Sequence, residues 1–316
     1  MLTRRSILAA MGRAALSGRT LAAPASSSAP APKPAAASLP LWPGQPPGGG
    51  GPAGPTVENA WGALTDIAIP SIHVYTPTRP NGDAVLVAAG GGYKRIEEGQ
   101  EALPAVSWLN ARNITAFVLR YRLPGEGWAN APLAPLQDAQ RAIRLIRANA
   151  KSFRINAKRL GLLGFSAGGH LFGLTATWSA FASYDPMDEA DAFSARPDFA
   201  ALIYPVITLE PPYDHTATKR IFVGEHPSPE MSAKWSVQTH VGSDCPPIFL
   251  VQAQDDPISN PANTVIMQAA CEEAGVPVEL HQLVSGGHGF NMGKKGTPSG
   301  EWPGYFDTWL RKTLRG

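Results

Sequence analysis

Gly164-Phe165-Ser166-Ala167-Gly168 places a serine between two glycines, directly after the apolar run Leu160–Phe165 and ahead of Leu171, Leu174 and Trp178 at helical spacing. With 20 serines and 32 glycines in 316 residues, this pattern is expected by chance roughly 0.2 times, so the flanking elements carry more weight than the pattern. A strand, a sharp turn and a helix would expose the Ser166 hydroxyl at the end of a strand, beside a helix N-terminus that favours developing negative charge. A serine hydroxyl is a poor nucleophile until a base takes its proton. Of seven histidines, His288 in Ser285-Gly286-Gly287-His288-Gly289-Phe290 follows the apolar run Val278–Leu283 on a glycine-rich loop, which makes it the candidate base. His73 and His281 fall inside strands and His170 on the helix after Ser166, while His215, His226 and His240 lie in a polar insertion between Pro211 and Asp244.

A third group should hold the imidazole tautomer and offset its positive charge, in the chain order serine, acid, histidine. Asp255 and Asp256 end the run Ile248–Ala253. Asp256, set farther into the loop, is the candidate, and Asp255 is expected to be a solvated neighbour or a helix cap. Ala89-Gly90-Gly91-Gly92-Tyr93 follows the run Ala84–Ala88. Glycines there let the backbone approach a substrate, so the N–H groups of Gly91, Gly92 and Ala167 are the candidate oxyanion donors. Serine, aspartate, histidine and an anion-binding loop together imply acyl transfer through a covalent intermediate.

Those residues need a scaffold that delivers them to one edge. Apolar runs at Ile72–Tyr75, Ala84–Ala88, Ile114–Tyr121, Leu160–Phe165, Phe199–Tyr204, Ile248–Ala253 and Val278–Leu283 read as strands covered on both faces. Helical patterns at Glu97–Arg112, Pro135–Ala150, Ala167–Trp178, Pro261–Ala274 and Trp302–Leu314 alternate with them. This alternation predicts one α/β domain over 56–316 with a mostly parallel sheet between helices, its ligands at the carboxyl ends of the strands.

Before that domain, Thr3-Arg4-Arg5-Ser6 and a weakly apolar Ala/Leu stretch, closed by Ala23-Pro24-Ala25, resemble a twin-arginine export signal over 1–25 and imply a periplasmic or secreted protein. Residues 26–55, rich in Pro, Ala, Gly and Ser with one lysine, are expected to form a linker.

Charge and composition exclude several classes. The formal net charge is +2, yet Arg4, Arg5, Arg13, Arg19 and Lys33 all precede the first acidic residue, leaving 22 basic against 25 acidic residues, or −3, in the rest. Such a body offers no concentrated positive charge to nucleic acid or an anionic membrane. No apolar run reaches the ~18 residues of a membrane-spanning helix. Two cysteines and scattered histidines form no metal-ligand motif, and neither a Walker lysine nor G-x-G-x-x-G is present, so no metal and no cofactor are expected. Cys245 and Cys271 are expected as buried free thiols, although export would permit a disulfide.

Taken together, Gly90–Tyr93, Phe117–Arg122, Pro135–Arg144, Gly164–Leu171 and Gly286–Phe290 resemble the α/β-hydrolase esterases related to acetylxylan esterases, over nearly the whole span from Ile72 to Leu310. The resemblance implies an α/β-hydrolase fold and removal of acetyl groups from plant-wall polysaccharides. The substrate would be a small ester or an acetylated oligosaccharide. The glycine loop stands where lipases and esterases carry an HGGG-type loop, with Ala89 in place of the usual His or Pro. Ile258-Ser259-Asn260 stand between Asp256 and Pro261 where the family often has Val-Pro. Tyr93, Trp128, Trp235 and Trp302 are candidate sugar-stacking residues. The segment 178–196 is either a loop over the site or a solvated connection. An α/β-hydrolase serine peptidase or general carboxylesterase, and a non-catalytic carbohydrate-binding relative, are the alternatives.

Overall fold

The computed structural model describes residues 35–315, so the export-signal reading of 1–25 lies outside the described residues. Eight strands form one sheet: β1 (Ala37–Pro40), β2 (Ser71–Tyr75), β3 (Ala84–Ala88), β4 (Thr115–Arg120), β5 (Leu160–Phe165), β6 (Phe199–Ile203), β7 (Ile248–Ala253) and β8 (Val278–Leu283). Their spatial order is β1-β2-β4-β3-β5-β6-β7-β8. β1 and β2 are antiparallel to their neighbours, and every pairing from β4 onward is parallel. The side chains of β3, β5, β6 and β7 are all buried, as unbroken apolar runs require when helices cover both faces. β8 is only half-buried because it is the sheet's edge.

The helices are α1 (Leu103–Asn110), α2 (Ala134–Ala148), the short α3 (Ala150–Phe153), α4 (Ala167–Thr177), α5 (Ala217–Val223), α6 (Pro229–Lys234), α7 (Ala262–Glu273) and α8 (Trp302–Arg315). α2 begins with Pro135 in its first turn and buries Leu136, Ala139, Ile143 and Ile146, a stripe at helical spacing. It packs against α4. α1 and α8 meet each other elsewhere on the sheet, where Trp108 stacks on Phe306 with ring centroids 5.4 Å apart and Arg112 donates to Asp307 at 2.7 Å. The expected helix Glu97–Arg112 is thus realised as a π-helical turn, Glu98–Ala102, running into α1.

The expected linker 26–55 is corrected over its described part. β1 pairs with β2 through all four of its residues, Leu41 and Trp42 are buried, and Pro47 accepts a hydrogen bond from Arg122. Edge pairing uses backbone groups that leave no mark on composition, and two large apolar side chains suffice to dock the strand among so many small residues.

The same region closes over a buried ion pair. Asp138 on α2 accepts from the Trp42 indole at 2.8 Å, the Arg122 backbone at 2.8 Å and Arg122 Nε at 3.0 Å, with both charged side chains fully buried. Removing one partner strands the other charge in an apolar interior. Asp138→Ala is therefore expected to cost about 3–5 kcal/mol, measured by urea unfolding, because Arg122 then stays buried without its counter-charge.

Candidate active site

The turn after β5 forces Ser166 to φ 50° and ψ −116°, a backbone region that L residues avoid and that costs about 1–3 kcal/mol unless the surroundings impose it. They do. The Ser166 N–H donates to the Ile203 carbonyl at 3.0 Å, and a Cβ on Gly168 would lie 2.2 Å from the Ala88 carbonyl oxygen, so α4 can start this close to β3 only with glycine. The result is a hydroxyl held at the carboxyl edge of the sheet.

Ser166 Oγ lies 2.8 Å from His288 Nε2, and His288 Nδ1 lies 2.7 Å from Asp256 Oδ2. A carboxylate can only accept, so the imidazole proton sits on Nδ1 and the Nε2 lone pair faces the serine hydroxyl. Asp256 has no exposed side-chain surface. The N–H groups of Ile258 and Ser259 donate to its Oδ1 at 2.8 and 2.9 Å, and Gln252 Nε2 donates to its Oδ2 at 2.8 Å. The three residues that stand where the family often has Val-Pro therefore supply two of the donors that orient this carboxyl.

Asp255 is exposed, as expected of a solvated neighbour, and caps no helix. Its Oδ1 accepts from the N–H groups of Gly286 and Gly287, each at 2.8 Å, which fixes the entry of the loop that carries His288. Tyr204, at the end of β6, supports the ring from the side in an edge contact with centroids 5.0 Å apart.

On the glycine loop, Gly91 sits at φ 111°, and a Cβ there would lie 2.3 Å from the Arg95 carbonyl oxygen. Among the described residues, the N–H groups of Gly91, Gly92 and Ala167 have no intramolecular acceptor. Ala89, the departure from the usual His or Pro, is tied by its carbonyl, which accepts from the Tyr121 hydroxyl at 2.8 Å.

Tyr93, Trp128, Trp235 and Trp302 must be corrected. None is more than 5% exposed, and none lines the pocket at Ser166. Tyr93 points inward and donates to His170 Nδ1 at 3.0 Å, while His170 Nε2 faces the Trp235 carbonyl at 2.8 Å and so carries the ring proton. Burial pushes His170 down to about 4, keeping it neutral. Trp302 donates to the Asn291 carbonyl at 3.0 Å beneath the His288 loop, and Trp128 lies against Arg122 and Gly51. Aromatic residues beside a binding loop here are its inward supports.

The pocket encloses about 480 Å³. One wall comes from Lys94, Arg95, Glu97, Gln100 and Glu101, the opposite one from Thr216, Ala217 and Thr218. The insertion 211–244 thus contributes a wall, which its polar sequence did not reveal. The segment 178–196 contributes nothing to the pocket: Asp188 and Asp191 bind Arg141 of α2 instead. A cleft of similar volume at the amino ends of the strands, around Asp83, Arg112, Arg159 and Asp307, is lined by no serine, cysteine or histidine. Among the described residues, no three His, Cys, Asp or Glu side chains converge as a metal site, and no helix is long and apolar enough to cross a membrane. Cys245 and Cys271 are free and buried.

One exposed aromatic lies on an element joined to the pocket's Glu97–Glu101 strip, outside the pocket lining itself. Trp61, 71% exposed, projects from a hairpin pairing Val57–Glu58 with Leu64–Thr65, a residue that motif reading did not single out. Asn59 Oδ1 accepts from the N–H groups of Trp61 and Ala63, at 2.9 and 3.0 Å. Leu64 pairs with Ile96, and the Gly62 carbonyl accepts from the Gly99 N–H at 3.0 Å, so the hairpin is fastened to the strip that supplies Glu97 and Gln100 to the pocket.

Residues 72–270 match the BD-FAE family. An acetylxylan esterase of Xylanibacter ruminicola is 31% identical over 234 residues, covering 73% of this chain and 45% of that protein. An endo-1,4-beta-xylanase B of Butyrivibrio fibrisolvens is 34% identical over 224 residues, covering 70% of this chain and 34% of that protein. The chain spans less than half the length of these two curated relatives. In structure, an acetyl ester-xyloside bifunctional hydrolase from Caldicellulosiruptor lactoaceticus superposes with a TM-score of 0.72 at 33% identity, over 90% of this chain and 98% of that one. A thermophilic esterase of Thermogutta terrifontis shares the fold, with a TM-score of 0.65 at 22% identity, over 78% of this chain and 91% of that one.

Since Asp255 acts only by fixing the His288 loop, Asp255→Ala is expected to lower kcat on 4-nitrophenyl acetate about tenfold, with KM within about threefold of wild type. Steady-state kinetics of the variant check this.

Proposed function

From the premise that this chain belongs to the BD-FAE family and is an α/β-hydrolase serine esterase acting on acyl esters, we propose that it removes acetyl groups from xylan-type polysaccharides or oligosaccharides by a Ser166-His288-Asp256 triad. The observation that carries the mechanism is the unbroken hydrogen-bond chain from Ser166 Oγ through His288 to Asp256, in a pocket that Gly91 and Gly92 also line.

His288 Nε2 takes the hydroxyl proton as Ser166 Oγ attacks the ester carbonyl carbon, and Asp256 stabilises the imidazolium. The oxyanion is held by the N–H groups of Gly91, Gly92 and Ala167. Collapse expels the alcohol, which takes the proton from His288, and leaves the acyl group on Ser166. Water then gives a proton to Nε2 and attacks the acyl carbonyl, and the carboxylic acid departs as Ser166 Oγ recovers that proton.

The pocket lining favours a short acyl group and a hydroxyl-rich alcohol. Among aliphatic residues only Val206, Ala217 and Ile258 line it, while Lys94, Glu97 and Gln100 offer polar partners to such an alcohol. Trp61 supplies the flat apolar face on which a sugar ring stacks, fastened to the wall that carries those polar groups. The names of the relatives point the same way, to acetylated xylan. The peptidase alternative has no comparable support.

Acetate release from acetylated xylo-oligosaccharides tests the reading beside 4-nitrophenyl acetate. Ser166→Ala is expected to lower turnover on both by about 10⁴-fold or more while leaving the unfolding midpoint nearly unchanged. Trp61→Ala is expected to raise KM about five- to tenfold for the oligosaccharide and to leave the aryl ester unaffected. Near-wild-type hydrolysis by Ser166→Ala would remove the serine from the mechanism, and an unchanged oligosaccharide KM in Trp61→Ala would remove the aromatic platform.

A further inference from the structure

Glu101 is a buried carboxyl within the site that the triad mechanism leaves unused. It is 4% exposed, near the end of the π-helical turn that precedes α1, and it lines the pocket beside Ser166. One oxygen, Oε2, accepts from the backbone N–H of Gly90, the residue immediately before the oxyanion donors. The other, Oε1, accepts from the Tyr204 hydroxyl at 3.0 Å. That hydroxyl in turn accepts from the Asn291 N–H at 3.2 Å, three residues beyond His288, and the Tyr204 ring supports the His288 ring. A single carboxyl therefore joins the glycine loop to the histidine loop, two segments far apart in sequence.

We propose that Glu101 is a positioning residue whose ionised form holds the oxyanion loop and the His288 loop in mutual register, so that its protonation switches the site off. The proposal rests on the serine-esterase reading above.

The ionised form makes the stronger link, because both bonds to it are charge-assisted. A proton on the carboxyl leaves only neutral bonds to the two loops and lets the Tyr204 hydroxyl turn to its other acceptor, Asn291 Oδ1, at 3.4 Å. Burial opposes that charge and pushes Glu101 up to about 7, a value at which the switch operates under ordinary conditions. The charged and titratable groups facing it are few. Glu97, from its own strip and paired with Arg95, raises it further, and His288 lowers it. Tyr121 and Tyr204, from the ends of β4 and β6, are themselves held protonated by burial. The sign follows directly: below about 7 the carboxyl is neutral and the register is lost, while above it the register holds.

The test is the pH dependence of kcat for 4-nitrophenyl acetate in wild type, Glu101→Gln and Tyr204→Phe. Protonation of His288 also removes activity and is coupled to that of Glu101, so the wild-type acid limb is expected to fall more steeply than one proton allows, approaching a slope of two near its shoulder. Glu101→Gln is expected to lower kcat about 30-fold with KM within about threefold, and to reduce the limb to a slope of one. Tyr204→Phe removes the link to the histidine loop while leaving the carboxyl on Gly90, and is expected to lower kcat and to bring the limb toward a slope of one as well. A wild-type limb of slope one, or a Glu101→Gln enzyme with wild-type kcat, would overturn the proposal. Should Glu101→Gln not fold, the wild-type slope decides alone. A wild-type protein inactive on every ester would instead contradict the underlying esterase reading.

Discussion

The proposed chemistry depends on a contact of 2.8 Å between Ser166 Oγ and His288 Nε2, groups separated by 122 positions in the chain. Neither residue can make that contact through local structure. Ser166 is delivered by β5, His288 by a loop after β8 and Asp256 by a loop after β7, so the parallel register of β5, β6, β7 and β8 sets the distance. Parallel strands present their carboxyl ends on one edge, which is why three short loops suffice. The final ångström comes from hydrogen bonds made within those loops. Asp256 is aimed by Ile258, Ser259 and Gln252, and the histidine loop is aimed by Asp255 and Tyr204.

The backbone conformation of Ser166 belongs to the same logic. A residue at φ 50° is tolerated because β3, β6 and α4 all close on it, and its hydroxyl lies against His288. The opposite half of the site is built from less regular parts. Its glycine loop stands on Tyr93, which packs against Tyr121, His170 and Phe222, and Phe222 belongs to the insertion that also supplies Thr216–Thr218 to the pocket. The insertion is thus continuous with the floor of the glycine loop. Changes in its sequence would reach the edge that carries Ser166 through aromatic packing.

Much of this was legible in the sequence, for reasons that differ from residue to residue. Ser166 and His288 could be found because each follows an apolar run and is flanked by glycines, and runs of that kind become parallel strands with a shared carboxyl edge. Asp256 could be separated from Asp255 by its depth in the loop, but the work that Asp255 does could not be foreseen, since its partners are two backbone N–H groups. Tyr93, Trp128, Trp235 and Trp302 looked like binding residues because they sit on loops or element ends. Neighbourhood along the chain does not tell whether a ring turns toward solvent or toward the core, and all four turn inward. The strap 35–55 was obscured for the opposite reason, because its composition is that of a tether while its edge pairing is carried by the backbone. Glu101 lay inside a helical pattern in which a carboxyl ordinarily faces water, and only the tertiary approach of Gly90 and Tyr204 marks it out.

The central claim is that Ser166 carries the acyl group during turnover. Rapid acid quenching of the enzyme with excess 4-nitrophenyl acetate, followed by intact-mass and peptide mass spectrometry, tests it most directly, with Ser166→Ala as the control. An acetyl group on the peptide containing Ser166, formed within the first turnover and absent from the control, is the predicted result. Full steady-state hydrolysis with no acetyl-enzyme at Ser166, or with the label on another residue at a turnover-competent rate, would contradict the account.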